Sequence, residues 1–97
     1  MVFNMVCFLE ARPEAVEELK AKLLEVAVVY RNDKGTLDWS VQQDLVHPHR
    51  LCIVERYADE ESERIHHQGN PIFQSTIDFI QARISKAYEL HTWHDQK

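Results

Sequence analysis

Apolar and polar residues repeat with two different periods along the 97-residue chain, and the changes of period predict its secondary structure. The segment from Val2 to Leu9 is apolar at every position except Asn4 and too short for an ordinary helix, which indicates a strand. Apolar residues then recur at helical spacing from Pro13, a residue suited to a first helical turn, to Tyr30. A turn follows in which Gly35 is free to adopt positive φ.

A β-hairpin is predicted next. Alternation of apolar and polar residues places Leu37, Trp39 and Val41 on one side of a half-exposed strand. Turn residues at 47–49 lead into a second strand at 51–57, whose first half is apolar on both sides. The two strands are therefore expected to pair.

Two helices and a last strand complete the pattern. Asp59 suits the N-cap of a short helix that ends before Gly69, and Asn70-Pro71 starts another helix. The last strand is expected from about Lys86 to Trp93. The order strand, helix, strand, strand, helix pair, strand predicts an α+β fold of the ferredoxin-like split βαβ type with a four-stranded antiparallel sheet, in one domain over residues 1–97.

The strands at 2–9 and 51–54 lack the polar face that a monomer would need. Helices cover only one face of such a sheet, so the other face of each strand is expected to be polar. A chain of 97 residues is also near the lower end of what buries a stable core alone. The economical cover is the same sheet of a second copy in a two-fold contact, and we expect a homodimer through the sheet face.

Composition and charge exclude several kinds of partner. A net charge of −5, with 11 basic residues spread along the chain, leaves no stripe for nucleic acid. No apolar run approaches the roughly 18 residues of a membrane span. The apolar start lacks the features of a signal peptide, so we expect a cytoplasmic protein. Cys7 and Cys52 lie in apolar runs without CxxC spacing, which favours reduced, buried thiols.

Six histidines raise the question of a metal site. Two lie at a turn, His66 and His67 point about 100° apart on a helix, and His91 and His94 lie on opposite sides of a strand. No set of ligands converges, and we expect no metal.

Five short motifs follow one another along the chain: Arg12-Pro13-Glu14, the run from Asp33 to Trp39, Val54-Glu55-Arg56-Tyr57, His66-His67, and Asn70-Pro71-Ile72-Phe73. In this order and spacing they resemble the antibiotic biosynthesis monooxygenase family over nearly the whole chain. The resemblance implies that two ferredoxin-like sheets close as a dimeric α+β barrel, with one pocket per subunit.

The family includes oxygenases that use no cofactor, so the resemblance implies oxidation of a quinol or polyphenol by O2 without a metal or an organic cofactor. Such a reaction needs an apolar pocket, a base with a pKa near neutral and donors for an oxyanion. A histidine suits the base. Counting from Glu55 gives His66 as the family histidine and counting back from Pro71 gives His67, which we favour; a surface histidine at the end of a polar helix is the alternative.

Five further residues are candidates for contact with the substrate, and each has a structural alternative. Trp39 would stack on an aromatic ring or belong to the core, and Tyr57 would donate a hydrogen bond or line the core rim. Asn4 needs a partner in an apolar strand, whether ligand, dimer mate or backbone. Glu55 would pair with a histidine or hold the dimer by a salt bridge. Phe73 would contact the substrate because it ends the last of the five motifs, or it would belong to the buried apolar stripe of the last helix.

Two other functions stay open because a fold does not fix a function. One is a non-catalytic dimeric module that binds a small hydrophobic ligand or responds to stress, and the other is an isomerase of related architecture. A heme-degrading branch with the same fold is a lesser alternative, since the positions that align with its Asn, Trp and His hold Cys7, His67 and Ile77.

Overall fold

The chain folds into one antiparallel sheet with its helices on one face, in a computed structural model that describes residues Met1–Lys97. Its elements in chain order are β1 (Phe3–Glu10), α1 (Val16–Tyr30), β2 (Thr36–Gln43), β3 (Arg50–Tyr57), α2 (Phe73–Gln81) and β4 (Glu89–His94). A 3₁₀ turn, Pro13–Ala15, precedes α1, and a π-helix, Ser62–His67, precedes α2. No helix is long and apolar enough to cross a membrane.

The strand order across the sheet is β2-β3-β1-β4, and every neighbouring pair is antiparallel. This confirms the predicted α+β fold of the ferredoxin-like type. The first helix and the hairpin lie where the sequence pattern placed them. The last strand begins at Glu89, three residues later than Lys86.

The helices cover the face that we call the inner face. Cys7 of β1 pairs directly with Ile53 of β3, and both side chains are buried on it. Leu19 and Leu23 of α1 are fully buried in the same core cluster. Apolar residues at i and i+4 on the helix and at alternate strand positions explain this layer.

Two details differ from the periodic pattern. The register of β2 against β3 shifts between Thr36 and Asp38, so Leu37 does not share the side of Trp39 and is half exposed. Such a bulge adds a residue and interrupts the alternation of side chains. The last helix also ends earlier than its apolar stripe, because Ile84 forms an isolated bridge with Ala11 instead of a further helical turn.

The opposite face of the sheet, which we call the open face, has no cover within the chain. Val6 and Val54 pair across β1 and β3 on this face and are only half-buried. Phe8 is 46% exposed and Trp93 is 51% exposed. The apolar residues that the sequence placed on both sides of these strands therefore meet solvent on one side.

Candidate functional site

A cavity of about 240 Å³ lies between the inner face and α2, and its lining is mostly apolar. Glu55, Glu63, His67 and Gln68 are its strongly polar members. A larger, more open groove of about 520 Å³ lies along the hairpin and holds none of the predicted catalytic or substrate-binding residues. The cavity beneath α2 is therefore the candidate site.

The π-helix sets which histidine enters the cavity. Asp59 caps its start by accepting hydrogen bonds from the backbone N–H (2.8 Å) and hydroxyl (2.7 Å) of Ser62. The N–H of Gln68 donates to the carbonyl of Glu63 at 3.0 Å, five residues back, so the turn holds about one residue more than an α-helical turn. The extra residue lies in the segment between Glu55 and Pro71, where counting from either end points to a different histidine. His67 lines the cavity, whereas His66 is half-buried outside it.

Aromatic rings enclose the His67 imidazole. Its ring centroid lies 4.4 Å from that of Tyr30, 5.3 Å from that of Phe73 and 5.5 Å from that of Tyr57. Burial among these rings lowers the pKa of His67 to about 4 because the charged form loses its hydration. The imidazole is therefore neutral at pH 7 and has a free lone pair.

Glu55 faces His67 from β3. Its Oε1 lies 3.5 Å from Nε2 of His67 and accepts a hydrogen bond from the Tyr57 hydroxyl. Burial raises the pKa of Glu55 to about 7; the Tyr57 hydrogen bond opposes this rise, and the nearby Glu63 carboxyl adds to it. A carboxyl and an imidazole in contact, both driven toward their uncharged forms, can share and pass a proton at neutral pH.

Trp39 brings an unused hydrogen-bond donor to the cavity. Its side chain is only 2% exposed and packs on Tyr30 at 4.9 Å between ring centroids. The indole N–H has no acceptor in hydrogen-bond geometry, although it lies near enough to Glu55 to lower the pKa of that carboxyl. A buried donor without an acceptor costs free energy unless a ligand satisfies it.

The structure brings together most of the residues that the sequence singled out, but not all. Trp39, Glu55 and Phe73 line the cavity with His67. Tyr57 is completely buried behind Glu55 and does not line the cavity.

Asn4 lies two residues from Val6 on β1 and pairs with Arg56 of β3. Residues two apart on a strand share a face, so Asn4 lies on the open face with Val6, away from the cavity. Its side-chain amide donates to Asp95 (2.8 Å) and accepts from Arg56 (3.1 Å). The partner that a polar residue in this strand needs is thus supplied by the chain itself.

Two acids near His67, Asp33 and Glu63, are not among the residues predicted from sequence. Oδ2 of Asp33 lies 3.8 Å from Nδ1 of His67, and Oδ1 accepts a 2.7 Å hydrogen bond from Asn70. Glu63 is buried in the π-helix, where Gln68 donates to both of its carboxylate oxygens at 2.9 and 3.0 Å. The available signal for Asp33 and Asn70 was their place in two of the five motifs.

A family model matches most of the chain, and several solved structures share its fold. Residues 2–78 match the family model described as antibiotic biosynthesis monooxygenase. A conserved protein from Methanosarcina mazei Go1 superposes with a TM-score of 0.92 at 21% identity, over 99% of this chain and 94% of that one. Rv0793 from Mycobacterium tuberculosis does so with 0.91 at 15% identity, over 100% and 97% of the two chains.

A third solved structure, named antibiotic biosynthesis monooxygenase, superposes with a TM-score of 0.89 at 16% identity, over 98% of this chain and 99% of that one. At such identities the likeness shows the fold and leaves the activity open. No curated protein has a matching sequence.

Proposed function

The chain belongs to the antibiotic biosynthesis monooxygenase family, and from this premise we propose that it is a cofactor-independent monooxygenase that oxidises a quinol- or polyphenol-type aromatic with O2. The observation that carries the proposal is the neutral, buried imidazole of His67 beside Glu55 in a mostly apolar cavity. An uncharged aromatic ring fits such walls, and its hydroxyl groups find a base there.

Each cavity residue has a distinct part in the proposal. Nε2 of His67 accepts the phenolic proton and passes it on to the ionised Glu55 carboxylate, the group of the pair whose pKa of about 7 is near neutral. The free indole N–H of Trp39 donates to the phenolate oxygen. This contact stabilises the phenolate and gives the buried N–H an acceptor that the chain itself does not supply. Phe73 packs against the substrate ring. His66, outside the cavity, has no part.

The reaction balances without a further reductant. The phenolate transfers one electron to O2, and the two radicals combine at a ring carbon that bears hydrogen, which forms a peroxide. The peroxide takes the proton back through His67, and its O–O bond breaks as the ring hydrogen leaves. One oxygen stays as a carbonyl and the other departs as water, so one quinol and one O2 give one hydroxyquinone and one water.

We further propose that the protein works as a homodimer through the open face. Val6, Val54 and Phe8 form an apolar area there that nothing in the chain covers. Two sheets packed on each other by a two-fold axis would bury it, as in the dimeric barrels that the family resemblance implies.

Oxygen consumption tests the catalytic proposal. The protein is assayed with a panel of hydroquinones beside His67→Gln and, as the matched control, His66→Gln. We expect His67→Gln to lose about 10²–10⁴-fold in kcat, as removal of a general base does, and His66→Gln to keep its rate. No turnover with any quinol, or a rate that His67→Gln leaves unchanged, would overturn the proposal. A quinol that raises the melting temperature without turnover would instead favour a binding module.

A further inference from the structure

The His67 imidazole has a carboxyl group on each side. Nε2 faces Oε1 of Glu55 at 3.5 Å, and Nδ1 faces Oδ2 of Asp33 at 3.8 Å. Nδ1 and Oδ2 are both buried, and neither has any other hydrogen-bond partner. The proposed reaction uses Nε2 and leaves the Asp33 side of the ring without a role.

The gap between Asp33 and His67 admits only a direct contact. Two hydrogen bonds of about 2.8 Å that meet at a water molecule span about 4.5 Å, which is more than the observed separation. A buried donor and a buried acceptor without partners each cost free energy. A small turn of either side chain joins them, so the favoured arrangement has a proton on Nδ1 directed at Oδ2.

Asp33 is held in this orientation from behind. The Asn70 amide donates to its other oxygen at 2.7 Å, and the Asn70 side-chain carbonyl accepts from the N–H of Ile72 at 3.0 Å. Burial raises the pKa of Asp33, and the hydrogen bond from Asn70 opposes this rise. Asp33 is therefore aimed at His67 by the segment that leads into α2.

The backbone that carries Asp33 is also fixed against the π-helix that carries His67. Gly35, two residues on, has a φ of 82°. A Cβ atom at this position would lie 2.1 Å from Oγ of Ser62, the first residue of the π-helix. Only glycine allows both the conformation and this close approach. The two side chains thus stand on segments that meet directly.

We propose that Asp33 is a positioning residue that holds His67 as the Nδ1–H tautomer and stabilises its imidazolium form. With the proton on Nδ1, the lone pair of Nε2 points toward Glu55 and the cavity, where a base is needed. A buried carboxylate plays this part toward the histidine of serine hydrolases. The role in catalysis rests on the proposed function, whereas the tautomer is a property of the resting protein.

The test is ¹⁵N NMR of the histidine rings at pH 7 without substrate, with His67 assigned by the His67→Gln variant. We expect the unaltered protein to show His67 protonated at Nδ1. In Asp33→Asn the new amide donates to Nδ1, so the proton should move to Nε2. Asp38→Asn, the same change at an exposed residue of β2, is the control and should leave the tautomer as it was.

Turnover gives the second readout. Asp33→Asn should lower kcat by about 10²-fold with little change in KM, since the ring stays in place but offers the wrong nitrogen. An Nε2–H tautomer in the unaltered protein, or a tautomer that Asp33→Asn does not change, would overturn the proposal. The expected tautomers with no quinol turnover in any variant would support the positioning role and refute only the monooxygenase assignment.

Discussion

The two tryptophans of the chain mark the two faces of its sheet. Trp39 pairs with Glu55 on the inner face and is 2% exposed, whereas Trp93 pairs with Asn4 on the open face and is 51% exposed. One face is completed by the chain's own helices and holds a cavity with buried acids. The other carries similar apolar residues and has no cover. The inner face is therefore suited to chemistry, and the open face is suited to assembly.

Strand β3 contributes to both faces through the period of two. Ile53 and Glu55 point to the helices and are buried, while Val54 and Arg56 point to the open face. Neighbouring residues of one strand therefore serve different purposes, and substitutions at adjacent positions can test the two faces separately.

The largest effect is expected from a charge on the open face. Val54→Asp would bury a carboxylate in the proposed dimer contact, so we expect the dimer dissociation constant to rise by about 10²-fold or more. Sedimentation or light scattering over a range of concentrations measures it. Leu45→Asp, at an almost completely exposed residue of the hairpin, is the control and should not change assembly. A stable monomer of the unaltered protein at micromolar concentration would refute the dimer.

The next prediction compares the stability costs of substitutions at two adjacent residues of β3. Ile53→Ala opens a cavity in the helix-covered core and should lower the free energy of unfolding by about 2–5 kcal/mol. Val54→Ala removes half-buried surface and should cost less, by an amount that grows with protein concentration if a second copy covers it. Denaturant titrations at two protein concentrations measure both. Equal costs that do not depend on concentration would contradict the distinction between the faces.

A third effect concerns Glu55 and depends on pH. The folded state raises its pKa from 4.5 to about 7, so it resists ionisation of this carboxyl. The protonated carboxyl therefore contributes to the free energy of unfolding. This contribution is fully present below pH 4.5 and is lost as the pH rises to 7, by about 3 kcal/mol in all. Glu55→Gln removes this loss, so the variant should gain stability relative to the unaltered protein across that range.

Denaturation midpoints from pH 4 to pH 8 measure the difference between the two proteins. His67 is present in both, so the difference reports the Glu55 carboxyl together with its contact to His67. Glu89→Gln, at an exposed position of β4, serves as the control and should track the unaltered protein. A constant difference between Glu55→Gln and the unaltered protein would contradict the pKa of about 7.

Much of the fold follows from local pattern. The strands, the first helix and the turn at Gly35 are each specified by residues close together in the chain, and the family resemblance built on short motifs is confirmed. Leu37 departs from this because a bulge depends on pairing with β3 and not on the alternation within β2. Tertiary pairing decided the register there.

The arrangement of the site was harder to predict from the sequence than the fold. The π-helix that directs His67 inward differs from an α-helix in its hydrogen bonds, which the spacing of apolar residues does not reveal. Asp33 and His67 are far apart in the chain, and only the packing of a turn against that helix joins them. The alternation of β1 does place Asn4 beside Val6 on the open face, a signal that outweighs its being polar. The catalytic and substrate roles stay predictions.

The two tryptophan side chains also allow a direct test of the division between an inner face that binds a quinol and an open face that binds a second copy. A ¹H–¹⁵N spectrum contains one indole signal for each, which Trp93→Phe assigns. The protein is titrated without oxygen with 1,4-dihydroxynaphthalene, and a second sample is diluted without ligand. If this division is correct, the quinol shifts the Trp39 signal to saturation and leaves that of Trp93 in place, and dilution changes only the Trp93 signal. A quinol that shifts the Trp93 signal and leaves that of Trp39 unchanged would contradict it.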